Sequence, residues 1–309
     1  MFYTTTPAVS DLREQAAVLA LVANSKNEWH RVASLIEGAR SALRIVERDW
    51  TGFEPLEVQE ARALEAVSER DLKHYETLIS DLAERDVKLV TVLNEHYPLN
   101  LRQVFNRPPF LWIRGDLVPA DERAVAVVGT RRASAEGLQQ ARTLACELAQ
   151  REVTVLSGLA RGIDAAAHGA AVEAGGRTVA VMGTGIKRVY PREHAGLADR
   201  IVGQGALVSQ FWPDAPPTRY SFPMRNVVMS GMALGTVVVE ASSTSGARMQ
   251  ARLALEHGRR LFLVKSLVMQ EPWARHYAEH PATTVVEDVG DVLAVLEELS
   301  QPVEQLTLG

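Results

Sequence analysis

Residues 124–175 read AVAVVGTRRASAEGLQQARTLACELAQREVTVLSGLARGIDAAAHGAAVEAG, and this stretch decides the fold. Ala124 to Val128 is a short run, apolar at every position, and a loop of Gly, Thr, Arg and Ser follows it. Leu138 to Gln150 then has helical spacing, Val153 to Leu156 is a second apolar run, and Ala165 to Ala174 is a second helix. Strands apolar on both faces that alternate with helices imply a parallel sheet covered on each side. Outward from here the runs Thr178 to Met182, Ala206 to Ser209, Thr236 to Val239 and Leu261 to Val264 alternate with helical patterns at Ala195 to Gly203, Val227 to Leu234 and Ala247 to His257. Each step is a βαβ unit. The expected fold class is therefore α/β: a Rossmann-like, doubly wound, mostly parallel sheet.

Upstream, Leu12, Ala16, Leu19 and Ala20, then Val32, Leu35 and Ile36, then Leu72 to Leu82 keep helical spacing, interrupted at Trp50 to Pro55. This predicts a small N-terminal helical domain over 1–85. Val87 to Leu93 is a strand candidate, and Pro98, Pro108 and Pro109 mark a linker into the second domain, which spans 86–287. A last strand (Thr284 to Val286) and an acidic helix (Val289 to Leu299) lead into a tail, giving a third segment, 288–309.

The 309 residues are 47% hydrophobic and 23% charged, which excludes a disordered chain and a collagen. One Cys excludes a disulfide scaffold, and Cys146, in a helical pattern, reads as core rather than nucleophile. The start has no basic region before an apolar run, and Ala16 to Ala23 is too short to span a membrane, so a cytoplasmic protein is expected. The net charge of −5 points away from nucleic acid until it is divided along the chain. Residues 1–85 carry 10 Lys and Arg against 15 Asp and Glu, residues 86–275 carry 23 against 16, and residues 276–309 none against 7. A cationic middle lies between acidic ends.

Ligands of an open parallel sheet bind beyond the carboxyl ends of its strands, so the loops there are the candidate site. They read Gly129-Thr-Arg-Arg-Ala-Ser134, Ser157-Gly-Leu-Ala-Arg-Gly-Ile-Asp164, Gly183-Thr-Gly-Ile-Lys-Arg-Val-Tyr-Pro191, Ser221-Phe-Pro-Met-Arg-Asn226 and Glu240-Ala-Ser-Ser-Thr-Ser-Gly246. Glycines and hydroxyls before a helix let backbone N–H groups reach an anion, and the helix N-terminus adds partial positive charge. Gly129, Thr130, Gly162, Gly185, Ser245 and Gly246 belong to such turns. Arg131, Arg132, Arg161, Lys187, Arg188 and Arg225 add more cations than one mononucleotide needs.

The first loop is not G-x-G-x-x-G, and there is no Walker A pattern. Asp164 and His168, four apart on a helix, read as an N-cap with a hydrogen-bonded His rather than an acid/base pair. Glu240 could act as a base or hold the arginines in place. The His spacing suggests no metal site, and no cofactor or catalytic residue is assigned.

At these loops the sequence resembles the DNA-processing protein A (DprA, or Smf) family of bacterial recombination mediators. The resemblance rests on VAVVGTRRAS, the run from VLSGLARGID through GTGIKRVYPREHAGL, FPMRN and VVVEASSTSGARMQARLALEHGRR, with HYPLNLRQVFNRPPFLWIRGDL upstream. It implies an extended Rossmann-like domain without catalytic activity that binds single-stranded DNA in a basic pocket, forms a homodimer and helps load the RecA recombinase. By motif, Arg131, Arg132, Ser134, Ser157, Gly158 and Arg161 would grip phosphates, Lys187, Arg188 and Tyr190 would line the same pocket, and Arg225 and Asn226 would complete it. The family's Ser-Glu is Ser209-Gln210 here, its Arg-Asn-Arg is Arg225-Asn226-Val227, and Lys265-Ser-Leu-Val replaces a Pro-Gly stretch. The resemblance thus implies a diverged member, without the C-terminal winged helix of many relatives. A nucleotide-sensing or nucleotide-cleaving pocket using Glu240, and a DprA-like protein in a defence role, are the alternatives these residues leave open.

Overall fold

The computed structural model describes residues 9–300 apart from 26–28, 55–57, 60, 62–63 and 65. The expectations for the first eight residues, for Pro55 and for the tail 301–309 lie outside the described residues.

The chain begins with helices α1 (Val9–Ala23), α2 (Trp29–Ala39), α3 (Ala42–Val46) and α4 (Glu69–Ala83). Ser41 caps α3 by accepting from Arg44 N, and Ser68 with Asp71 forms a reciprocal capping box on α4. Their apolar faces, including Leu19, Ile36, Leu72 and Ile79, join one continuous core with the sheet. Trp29 packs against Phe110 at 5.6 Å between ring centroids, and Tyr75 stacks on Trp212 at 5.7 Å. Glu37 adds an ionic tie across this boundary, pairing with Arg102 at 3.0 Å and with Arg107.

Then follow β1 (Val87–Thr91), α5 (Leu99–Arg102) and β2 (Phe110–Gly115). Both strands belong to the main sheet: β1 pairs antiparallel with β2 from Val87↔Arg114 to Thr91↔Phe110. The strand expected at Val87 is thus present, and the proline-marked segment read as a linker is the connection from it to a second strand of the same sheet. Pro98, Pro108 and Pro109 lie in that connection, where no ladder N–H is required, while Phe110 and Trp112 are fully buried.

The remaining elements are β3 (Ala124–Val128), α6 (Ala135–Gln150), β4 (Thr154–Ser157), α7 (Ile163–Glu173), β5 (Thr178–Val181), α8 (Ala195–Val202), β6 (Ala206–Ser209), α9 (Ser221–Met232), β7 (Gly235–Val238), α10 (Gly246–Glu256), β8 (Arg260–Val264), α11 (Lys265–Gln270), α12 (Pro272–Ala278), β9 (Thr283–Val286) and α13 (Val289–Ser300). The nine-stranded sheet has the order β1-β2-β6-β5-β4-β3-β7-β8-β9. From β6 to β9 every pairing is parallel, and β2 joins β6 antiparallel, Trp112 opposite Ser209. The fold is the mostly parallel, doubly wound sheet that the alternating apolar runs predict, with an N-terminal helical region. Helices α6, α7 and α13 bury Leu148, Ala167 and Leu296 against one face, and Met229 of α9 and Ala251 of α10 lie in the core of the other. Cys146 is half-buried beside the first of these cores.

Strand order reverses at β3, which has β4 on one side and β7 on the other. At such a switch point the loops leaving the two directions part and open a crevice. The loops after β3 and β7 and the first turn of α9 meet there.

Candidate functional site

The crevice is a cleft of about 380 Å³ lined by Gly129 to Arg132, Ala160, Asp164, Phe222, Arg225, Asn226 and the Ser242–Gln250 region. It brings together eight of the residues singled out from sequence: Gly129, Thr130, Arg131, Arg132, Arg225, Asn226, Ser245 and Gly246. Arg131 and Arg132 are exposed, and the Arg131 guanidinium lies 4.9 Å from the centroid of the Phe222 ring. Tyr190 meets the same ring at 6.0 Å. Phe222 thus joins an arginine to a tyrosine along the rim, and sequence reading passed over it in favour of its neighbours Arg225 and Asn226. A Cβ at Gly183 would overlap the Phe222 ring, so that glycine makes room for it.

Arg225 differs from the exposed cation expected of a loop residue. Ser221–Asn226 is the start of α9, not a free loop, and Arg225 is 6% exposed. Its Nη1 donates to Val181 O at 2.7 Å and its Nε to Asn226 Oδ1 at 3.1 Å. Burial pulls its pKa down, and the nearby Asp164 opposes that shift. Arg225 is a fixed part of the cleft floor.

Asp164 is not an N-cap either. Gly162 takes that position on α7 with φ +75°, and Asp164 follows within the first turn. Its carboxylate accepts from Gly158 N at 3.2 Å and Ala160 N at 3.4 Å, which closes the loop after β4 on itself. Burial pushes the Asp164 carboxyl up, opposed first by Arg225. His168 makes no pair with it: Nδ1 lies 2.7 Å from Thr178 Oγ1, and burial lowers the His168 pKa to about 3, so the ring is neutral.

Glu240 serves the loop after β3. Its carboxylate accepts from Ser134 N at 3.1 Å and from Ser134 Oγ at 2.8 Å, while Ser134 Oγ in turn accepts from Gly137 N at 3.0 Å. A protein carboxylate therefore already holds the anion position at the N-terminus of α6. Asp164 likewise takes the N–H groups that precede α7. At α10 the arrangement is different: Ser245 caps the helix by accepting from Ala247 N at 3.2 Å, its first turn has no acidic residue, and Ser245, Gly246 and Ala247 line the cleft. Of these three helix starts, α10 is the one turned to the cleft without a carboxylate in place.

The other expected site residues lie outside the cleft. Ser157 is fully buried, with Oγ donating to Val127 O at 2.7 Å. Gly158 and Gly162 allow close approach of the Arg225 guanidinium and of Thr130 O respectively. Gly185 packs on the backbone of Trp212 and Pro213. Arg161 pairs with Glu193 at 2.5 Å and Lys187 with Asp214 at 2.8 Å, both near the surface. Arg188 and Tyr190 are exposed on the same loop as Lys187. Among the described residues no group of three His, Cys, Asp or Glu could hold a metal ion, and no helix is long and apolar enough to cross a membrane.

A family model described as DNA recombination-mediator protein A matches residues 88–297. Protein Smf of Escherichia coli (strain K12) is 42% identical over 191 residues, 62% of this chain and 51% of that protein. The chain thus spans about half the length of that relative. DNA processing protein DprA of Streptococcus pneumoniae is 34% identical over 209 residues, 67% of this chain and 73% of that one. The crystal structure of the Streptococcus pneumoniae protein superposes with a TM-score of 0.71 at 26% identity, covering 91% of this chain and 97% of that chain. DNA processing protein A of Helicobacter pylori, solved for its single-stranded DNA binding mode, shares the fold with a TM-score of 0.61 at 23% identity, covering 69% and 96%.

Proposed function

The chain belongs to the DNA recombination-mediator protein A family, and from that premise we propose that it binds single-stranded DNA through the phosphate backbone in the cleft at the β3 switch point. Arg131 and Arg132 neutralise phosphates and release counterions, and the N-terminus of α10 offers backbone N–H groups to a further phosphate. Phe222 and Tyr190 present aromatic surface beside those cations, where bases of any identity can stack. The observation that carries this reading is the Arg131 guanidinium seated on Phe222, in the same cleft as the carboxylate-free start of α10.

In this reading the chain performs no chemical step of its own. It acts as a homodimeric mediator in the cytoplasm that helps load RecA onto bound strands. Residues 86–287 form the binding body, flanked by 1–85 and the acidic segment 288–309. The nucleotide-cleaving alternative asks Glu240 to face a ligand, and Glu240 is instead engaged with Ser134 and does not line the cleft. The test is a titration of labelled oligothymidine, with duplex of equal length and mononucleotides as competitors. RecA loading is tested by strand-exchange assays on strands coated with single-strand-binding protein.

A further inference from the structure

The loop Gly183–Pro191 rests on the segment that follows β6. Gly185 N donates to Ala215 O at 3.0 Å and Lys187 N to Pro213 O at 3.1 Å. A Cβ at Gly185 would overlap Trp212 O and Pro213 O, so the two backbones touch only because that side chain is absent. Within the loop, Arg188 N donates to Gly185 O at 2.9 Å and Thr184 Oγ1 to Arg188 O at 2.5 Å, which makes it one closed turn. Its far end carries Tyr190, whose ring meets Phe222 at 6.0 Å, and Phe222 in turn lies under the Arg131 guanidinium.

From the other side, the N-terminal helices hold the same segment. Tyr75 of α4 stacks on the Trp212 ring at 5.7 Å, Trp29 of α2 meets it edge-on at 6.4 Å, and Phe110 of β2 lies 5.6 Å away. Stacked and edge-on pairs fix the orientation of a ring as well as burying its area. Ala215 N donates to Trp212 O at 2.9 Å, so the ring and the carbonyls that receive the loop belong to one turn. Trp212 therefore has three rings on one side and the Gly183–Pro191 loop on the other.

We propose that Trp212 is a positioning residue for strand binding: through it the N-terminal helices set the place of the Gly183–Pro191 loop, and with it the Tyr190 face offered to bases beside the cleft. This rests on the reading of the cleft as a single-strand site. Trp212 does not line the cleft and works only through the loop it supports. Removing its ring lets the turn 212–215 and the loop shift together, while Arg131, Arg132 and the start of α10 keep their places. The loss therefore falls on base stacking and spares the phosphate contacts.

The experiment compares oligothymidine with an abasic strand of equal length on the wild-type protein, Trp212→Ala, Trp212→Phe, Tyr75→Ala, Tyr190→Ala and the Trp212→Ala/Tyr190→Ala double variant. Trp212→Ala is expected to bind oligothymidine about fivefold more weakly than the wild type, the low end of what one stacked base contributes. Its log–log salt slope and its affinity for the abasic strand should be those of the wild type. Trp212→Phe keeps a ring on Tyr75 and should restore most of the loss. In the Tyr190→Ala background Trp212→Ala should cost nothing further, as for two residues that act through one contact. Tyr75→Ala removes only a half-buried ring and should show the same pattern in weaker form, so the comparison stands even if Trp212→Ala does not fold. Wild-type affinity in Trp212→Ala and Tyr75→Ala would overturn the proposal. So would a loss as large on the abasic strand as on oligothymidine, or a Trp212→Ala effect that adds in full to that of Tyr190→Ala. If the wild type binds no strand and Arg131→Gln changes nothing, it is the reading of the cleft that fails, and the proposal with it.

Discussion

The guanidinium of Arg225 fills the space that any side chain at residue 158 would need. Gly158 and Arg225 are thus one unit: the loop after β4 can close over the cleft floor because position 158 carries no Cβ. Gly158→Ala is expected to push Arg225 off Val181 O and to destabilise the fold by about 1–3 kcal/mol, the usual range for overpacking. Strand affinity falls with it, since Arg225 lines the cleft. Urea unfolding and oligothymidine binding on the same sample check this. Unchanged stability would mean that the guanidinium moves freely.

Two exposed cations separate the cleft from the loop beside it. Arg131 lines the cleft, whereas Lys187 pairs with Asp214 outside it. Arg131→Gln is expected to weaken single-strand binding about fivefold at 0.1 M salt through one lost phosphate contact, with stability changed by less than about 1 kcal/mol from the Phe222 contact. Lys187→Gln should cost less affinity. The reverse order, read by fluorescence anisotropy, would shift the strand onto the Gly183–Pro191 loop.

Glu240 is a clamp on Ser134 rather than a ligand group. Glu240→Ala leaves the start of α6 without its carboxylate and is expected to lower stability by about 1–2 kcal/mol. Single-strand affinity should stay level or rise, because a negative charge near the phosphates is gone. A large loss of affinity at unchanged melting temperature would place Glu240 on the ligand.

His168 and His257 have pKa values lowered by burial to about 3 and about 4. Both are neutral in the folded protein at pH 7, while the unfolded chain takes up protons below its ordinary His value of about 6.5. Stability is therefore full above that value and lost as pH falls towards the folded values, by up to about 1.4 kcal/mol per pH unit for the fully buried His168 and by less for His257, whose charge nearby water screens. Denaturant midpoints between about pH 7 and pH 4 measure this. His168→Asn, which keeps a donor for Thr178, is expected to flatten the profile, and an unaltered slope would contradict the assignment.

The sheet was legible because a strand buried on both faces must be apolar throughout, as at Ala124–Val128 and Thr178–Val181. The cations were legible as residue types, but their settings were not. Arg225 is buried by Val181 and Gly158, 44 and 67 positions away, and Glu240 reaches Ser134 across 106 positions. No local pattern reports such pairings. Two loops that read as phosphate cradles carry their own carboxylates for the same physical reason that made them resemble cradles: exposed N–H groups attract whatever anion the fold brings near. Strand β2, inside the sheet between β1 and β6, was obscured by the prolines that precede it, whereas the edge strand β1 was legible as an apolar run.

A cleft that holds a polyanion through its phosphates must release counterions on binding, so the salt dependence of single-strand affinity is the decisive measurement. Oligothymidine affinity is to be measured over a series of salt concentrations, with a duplex of equal length alongside. With about four phosphates neutralised, the log–log slope is expected to be about −3, and the single strand should outcompete both duplex and mononucleotides. An affinity independent of salt, or full displacement by a mononucleotide, would contradict it.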